Sequence, residues 1–268
     1  MAFLKNIFNF FINSSIHVAL AVCALVGVTL IEFDTSISND LLGFIFFGTI
    51  AGYNFVKYAK IISTRFADLY MYLKVVQILS SLALLYFSLQ ISFFTGVIAA
   101  GFAILTFFYA IPLLKNKNLR NITGLKIIIV ATVWAGVTVV LPLVDKGIVL
   151  NATMWYSFAQ RLLFVVALTL PFEIRDLNYD DLALGTLPQR VGVFQTKIAG
   201  ILLLIGSNII EFYKPESLRA YAISFGIISL VLLVLLVISK RKQAAYFASF
   251  WVESIPIIWL AMLFFLLE

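Results

Sequence analysis

Cysteine and histidine are nearly missing from this sequence. Among 268 residues there is one cysteine, Cys23, and one histidine, His17. A lone cysteine cannot form a disulfide within the chain. Zinc sites and thiol chemistry need more of these residues, so we expect neither. No glycine-rich phosphate loop and no Ser-His-Asp set is visible, which leaves carboxylates as the candidate general bases.

Charge is scarce as well. Charged residues make up 12% of the chain and hydrophobic residues 63%, whereas about a quarter of the residues of a soluble protein are charged. The composition therefore predicts a polytopic membrane protein. Its spans must be helices, because lipid cannot satisfy an unpaired backbone. We expect an all-α bundle forming one transmembrane domain over residues 1–268. Nine apolar segments are separable, at about 15–33, 41–58, 74–91, 95–114, 125–144, 154–172, 196–212, 219–238 and 246–267.

The first 13 residues have a different pattern. They lack a basic region and a small-residue cleavage site, so we do not interpret them as a signal peptide. Apolar residues recur at helical spacing, with Lys5 and asparagines between them. This pattern predicts a short helix lying in the membrane interface. The apolar positions are Phe3, Leu4, Ile7, Phe8 and Phe11.

Lysine and arginine predict the orientation. With the N-terminus in the cytoplasm, fifteen of the 19 basic residues fall on the cytoplasmic side and three on the other, while Arg161 lies within a helix. This asymmetry is a strong positive-inside signal. The longer, polar connections also lie on the cytoplasmic side, which favours a cavity there over a pore open at both ends.

The stretch 171–192 holds the most specific chemistry. Glu173, Asp176 and Asp180 stand at i, i+3 and i+7, so on a helix they share one face. Carboxylates on one face repel one another unless a cation lies among them, and Mg²⁺ prefers such oxygen ligands. The alternative is a solvated loop at the end of a membrane helix.

Three ionisable residues lie within apolar segments. Buried charge in a bilayer usually has a partner or faces a cavity. We expect Arg161 to pair with Glu253, and His17 to be a hydrogen-bonded packing residue. Gly48 and Gly52 form a small-xxx-small pair, which predicts close helix packing.

Two motifs resemble a known family. The run Tyr109-Ala-Ile-Pro112-Leu-Leu-Lys115, with Lys126 after it, is similar to the connection between the fourth and fifth helices of UbiA-type intramembrane prenyltransferases. The run from Glu173 to Asp180, followed by Gly-Thr-Leu-Pro, resembles that family's second aspartate-rich motif. Helix number and motif order agree over the whole chain, but residue matches are confined to about 40 positions.

The resemblance implies a UbiA-like bundle that transfers an isoprenyl group from a prenyl diphosphate to a lipophilic or aromatic acceptor, assisted by Mg²⁺. It implies that Glu173, Asp176 and Asp180 bind the metal, which neutralises the leaving diphosphate. Membrane lipid surrounds the protein, and no nucleic acid is expected as a partner. The resemblance also suggests the residues that bind substrate, namely Asn54, Lys57, Tyr109, Lys115, Lys126 and Arg175.

The chain departs from the family in the first aspartate motif, Asn-x-x-x-Asp-x-x-x-Asp. Asn54 matches, but Tyr58 and Ile62 stand where carboxylates belong, and Asp68 is too far along to restore the spacing. Lys57 and Lys60 either contact a diphosphate directly or are ordinary positive-inside anchors.

Three functions remain open from the sequence. The first is a prenyltransferase with an altered diphosphate site. The second is a non-catalytic relative that binds a polyprenyl lipid or a partner protein, which the missing carboxylates favour. The third is a secondary transporter, for which only Arg161 and Glu253 qualify as midplane charges.

Overall fold

The computed structural model describes residues 2–36, 38–65, 71–110, 125–148, 151–178, 185–215 and 217–268. All regular structure in these residues is helical. The α-helices are α1 Ala2–Asn13, α2 Ile16–Glu32, α3 Asn39–Arg65, α4 Met71–Ser88, α5 Phe93–Ala110, α6 Leu125–Ala135, α7 Leu141–Asp145, α8 Ala152–Asp176, α9 Leu187–Glu211, α10 Arg219–Ile238 and α11 Ile255–Leu267. Two π-helical segments, Gly136–Val140 and Phe247–Val252, precede α7 and α11.

The helices confirm the polytopic all-α architecture. Within the described residues, eight helical stretches are long and apolar enough to cross a membrane, or nine if α1 and α2 count as one bent span. The largest difference from the sequence-based bounds is in α9, where a short helical turn begins at Leu187. The non-helical backbone of Gly192, with φ of 81°, separates this turn from the rest of the helix, whose start lies close to the predicted residue 196. Thr186 precedes the short turn as its N-cap and Pro188 lies within it, both favourable at a helix start. Hydropathy alone misses this polar first turn.

Helix α1 is bent by 58° from α2, and α3 fixes the bend. Ser15 at the junction has a left-handed backbone, with φ of 64°. Its hydroxyl donates to Asn54 Oδ1 at 2.6 Å, and the Asn54 amide donates to the Ser14 carbonyl at 3.1 Å. The Tyr58 hydroxyl donates to the Asn13 carbonyl at 3.0 Å. The predicted N-terminal helix is thus present, and it is attached to α3.

Four aromatic rings form the centre of the core. Phe164, Tyr221, Phe225 and Trp259 pack with ring centroids 5.2 to 6.1 Å apart. They join α8, α10 and α11. Burial is uneven as a result: 61% of the α8 span is buried, against 11% of α4 and 17% of α5. Helix α8 is therefore surrounded by other helices, whereas α4 and α5 lie at the outside of the bundle.

A buried polar network lies at the end of the bundle opposite α1. Lys214 Nζ lies 2.5 Å from Glu32 Oε1 and 2.9 Å from Glu211 Oε2, and it donates to Gln160 Oε1 at 2.7 Å. Burial alone would lower the pKa of Lys214, but the neighbouring Tyr221 and the two carboxylates raise it above its usual value. This ammonium therefore stays charged at every physiological pH and holds the ends of α2, α8 and α9 together.

The contact of α9 with α8 and α10 depends on Gly200. A Cβ at this position would lie 2.3 Å from Leu236 Cδ2 and 2.7 Å from Leu170 Cδ1. Both leucines are fully buried, so neither can move aside easily. We expect Gly200→Ala to lower the free energy of unfolding by about 1–3 kcal/mol. Thermal unfolding in detergent measures it.

Gly226→Ala is the matched control, because nothing lies within 4 Å of a Cβ at that helical position. Its stability should be unchanged or slightly raised, since alanine favours helix more than glycine does. Equal melting temperatures for the two variants would contradict this account of the packing.

Candidate functional site

A cavity of about 820 Å³ lies between the two halves of the bundle. Helices α2 to α7 form one side of it, and α8 together with residues 245–253 forms the other. Its lining on α3 runs from Phe44 to Lys57, fourteen residues, which corresponds to about 20 Å of helix. The cavity is thus long, and it ends at the same end of the bundle as α1.

The inner part of the cavity is apolar. Three lining threonines use their hydroxyls within their own helices: Thr49 donates to the Ile45 carbonyl, Thr106 to Phe102 and Thr169 to Val166, at 2.7 to 2.9 Å. The surface that remains comes mainly from aliphatic and aromatic side chains. Such a lining favours a hydrocarbon ligand and excludes water.

The glycine pair of α3 has two different roles. A Cβ at Gly48 would lie 3.3 Å from Leu84 on α4, which agrees with the predicted helix packing. A Cβ at Gly52 would meet nothing within 4 Å, although Gly52 lines the cavity. For Gly52 the packing interpretation was therefore wrong, because this glycine widens the cavity instead.

Charged side chains surround the end of the cavity next to α1, which we call the charged rim. Two ion pairs lie in it. Lys126 Nζ is 2.6 Å from Glu173 Oε1, and Arg175 Nε is 2.7 Å from Asp176 Oδ1. The rim residues within the described ranges are Lys57, Lys126, Glu173, Arg175, Asp176 and Glu253.

Six of the nine sequence-predicted site residues line the cavity. Five of them belong to the rim, namely Glu173, Asp176, Lys57, Lys126 and Arg175, and the sixth, Tyr109, is buried on α5 below the rim. Asn54 is not part of the lining, because it binds the junction of α1 and α2. Asp180 and Lys115 lie outside the described residues, as does the side chain of Lys60.

The described residues do not fit the expected magnesium site. They contain no group of three or more His, Cys, Asp or Glu side chains that could bind a metal. Glu173 and Asp176 do lie on one helix, as their spacing predicts, but each contacts a basic side chain. The positive charge beside each carboxylate opposes the binding of Mg²⁺ there, because like charges repel.

The altered first motif has a structural explanation. Asn54 and Tyr58 point their polar groups at residues 13–15 and hold α1 in place. Lys57 lies between them, with its Nζ 3.5 Å from the Asn13 carbonyl oxygen, and it lines the cavity. On this wall, therefore, the charge that faces the cavity is an ammonium group.

The predicted pair of Arg161 and Glu253 is wrong. Arg161 donates to the Leu25 carbonyl at 2.9 Å and to the hydroxyls of Thr29 and Thr138 at 3.2 and 3.3 Å. Its guanidinium also lies 5.1 Å from the centroid of the Trp259 ring. Carbonyl and hydroxyl oxygens thus solvate this cation within the packed core, away from the cavity.

Glu253 pairs instead with His17. Its Oε2 lies 3.5 Å from His17 Nδ1, and His17 Nε2 lies 3.0 Å from the Ser254 hydroxyl. The expectation that His17 is hydrogen-bonded is confirmed. Glu253 follows a π-helical segment, a feature common at functional sites. It is the rim residue that sequence reasoning missed, because the positions of α2 and α11 in the bundle could not be inferred from hydropathy.

Comparison with solved structures supports the fold, whereas comparison of sequences finds no relative. No family model matches the chain, and no curated protein matches it in sequence. The structure is similar to the solved structure of a UbiA homolog from Archaeoglobus fulgidus, with a TM-score of 0.64 and 13% sequence identity. The similarity covers 97% of this chain and 98% of the other. It includes the helices that form the cavity.

Double-mutant cycles test whether Arg161 and Glu253 interact with each other. The α2 partners of Arg161 and Glu253, Leu25 and His17, are eight residues or about 12 Å apart along the helix. We therefore expect the stability effects of Arg161→Met and Glu253→Gln to add within about 0.5 kcal/mol. The cycle of His17→Ala with Glu253→Gln should instead show a coupling of about 0.5–3 kcal/mol. Unfolding in detergent measures both, and strong coupling in the first cycle would restore the pair that the sequence predicted.

Proposed function

We propose that this chain, which has the UbiA-type fold of an integral multi-pass membrane protein, binds a prenyl diphosphate and transfers its isoprenyl group to a lipophilic or aromatic acceptor. One observation carries the proposal: a long apolar cavity ends at a rim with three basic side chains. This combination fits a ligand with a hydrocarbon chain and an anionic head.

The rim suits the diphosphate. Lys57, Lys126 and Arg175 come from α3, α6 and α8, so they reach the cavity from different walls. Charge-assisted hydrogen bonds to phosphate oxygens are among the stronger polar contacts in proteins, and a guanidinium fits phosphate through two parallel bonds. These residues would also stabilise the diphosphate as it leaves.

The cavity below the rim suits the reacting carbon. When the bond between the allylic carbon and the diphosphate oxygen breaks, positive charge develops on the prenyl chain. Aromatic faces in the lining stabilise such a cation, and the absence of water prevents its hydrolysis. Tyr53, Phe172 and Trp134 line this region.

A new bond to the acceptor releases a proton. Glu253 is the carboxylate we assign to accept it, because it lines the cavity and is held by His17. Magnesium assistance, which the resemblance implies, stays a prediction. It concerns Glu173 and Asp176 together with Asp180.

A non-catalytic relative that binds a polyprenyl lipid is the second candidate. The observation that favours it is the use of Asn54 and Tyr58 to hold α1, which leaves the first motif without its metal-binding role. The transporter hypothesis loses support, because Arg161 is bound within the core and does not line the cavity. A cytoplasmic N-terminus remains part of the proposal, supported by the positive-inside signal.

Turnover separates the first two candidates. The purified protein is incubated with labelled geranylgeranyl diphosphate and a membrane lipid extract, and release of diphosphate and labelling of lipids are followed. Glu253→Gln should retain binding but lose most of the transfer. Binding of the prenyl diphosphate without turnover, under all acceptor mixtures, would favour the non-catalytic candidate.

Filling the cavity tests where the prenyl chain binds. We expect Gly52→Leu to weaken binding of geranylgeranyl diphosphate at least about tenfold, because the new side chain occupies the space of the hydrocarbon. Thermal stability should change little. Gly101→Leu is the matched control on α5, where a Cβ likewise meets nothing within 4 Å but the residue is exposed and outside the cavity lining. Equal affinities in the two variants would place the ligand elsewhere.

A further inference from the structure

We infer that the rim binds the diphosphate of its ligand directly through lysine and arginine side chains, with no requirement for Mg²⁺. The inference rests on the proposed function, since it specifies how the same cavity recognises the anionic head of the ligand. Four observations support it, three from the walls of the rim and one from the distribution of charge.

On the first wall, the part of α3 that lines the cavity has no carboxylate. The sequence contains no Asp or Glu from residue 41 to residue 67. Asn54 and Tyr58, which stand at metal-motif positions, are occupied with the junction of α1 and α2. Lys57 is the charged residue of this wall that lines the cavity within the described residues. A phosphate oxygen of a ligand bound next to α3 would therefore contact the ammonium group of Lys57.

The second wall, formed by α4 to α6, likewise lacks carboxylates at the cavity. Between Asp68 and Asp145 the sequence has no acidic residue but has five basic residues. Lys126 reaches the rim from the start of α6. The basic residues of this stretch are Lys74, Lys115, Lys117, Arg120 and Lys126.

The third wall, α8, carries the two described carboxylates of the second motif. Glu173 is 4% exposed and lies 2.6 Å from the Lys126 ammonium, so it fixes the position of that cation at the rim. Asp176 binds Arg175 through Nε, which leaves the terminal nitrogens of the guanidinium in the fork geometry that matches phosphate oxygens. Both carboxylates thus position cations.

The fourth observation is the charge at this end of the bundle. Among the described residues, the helix order places twelve Lys and Arg residues there against three Asp and Glu residues, Glu253 included. The opposite end has an excess of acidic residues. A diphosphate is therefore attracted to the rim without a metal ion to invert the sign of the local field.

Binding with and without metal tests the inference. The full-length protein in lipid nanodiscs is titrated with geranylgeranyl diphosphate by calorimetry, once in excess EDTA and once in excess MgCl₂. We expect the two dissociation constants to agree within about threefold. Binding that weakens more than about tenfold in EDTA would overturn the inference and leave the proposed function standing. Failure to bind under both conditions would overturn both.

Variants identify the groups responsible. In EDTA, Lys57→Met and Lys126→Met should each weaken binding about tenfold or more, whereas Lys126→Arg should restore most of the affinity. Lys242→Met is the matched control, because it removes the same charge from an exposed position at the same end, outside the cavity. An equal loss in Lys242→Met would indicate a general field effect and would contradict direct contact. Melting temperatures verify that each variant is folded.

The variant Asp176→Asn distinguishes most directly between binding of the diphosphate by basic side chains and binding through Mg²⁺. If this carboxylate only positions Arg175, binding in EDTA should stay within about threefold or become tighter, because a negative charge is removed. If it is a metal ligand, the variant should lose affinity specifically in MgCl₂. The second result would contradict the inference.

Discussion

The need to stabilise charge in apolar surroundings determines much of this structure. A charged group in a bilayer is costly unless oxygen or nitrogen partners replace its water. Each buried charge described above has such partners, though of different kinds. Lys214 lies between two carboxylates, Arg161 among carbonyl and hydroxyl oxygens, and Lys126 against Glu173. The first two hold helices together, whereas the third lies at the rim of a cavity.

The architecture could be predicted from composition because a bilayer permits few alternatives. Apolar segments of sufficient length must be helices, so their number and approximate bounds follow from hydropathy. The helix limits inferred from hydropathy were least accurate where a helix begins with polar residues. The turn that precedes Gly192 in α9, with Thr186 and Gln189 at its start, is short and partly polar, and its structure depends on local hydrogen bonds.

The site could be predicted only in part. The spacing of Glu173 and Asp176 places them on one helix end, and the structure agrees. The partners of Arg161 and Glu253 could not be deduced, because depth in the membrane gives no information about which helices are neighbours. The roles of Asn54 and Tyr58 were hidden for a similar reason: their contacts lie about 40 residues earlier in the chain.

The uneven packing of the bundle has a mechanical consequence. Interlocked aromatic rings support the cavity wall on the α8 side, whereas α4 and α5 have little protein behind them and rest against the acyl chains of the bilayer. Lipid is thus the outer support of that wall. We therefore expect the thickness and fluidity of the surrounding leaflets to affect the width of the cavity.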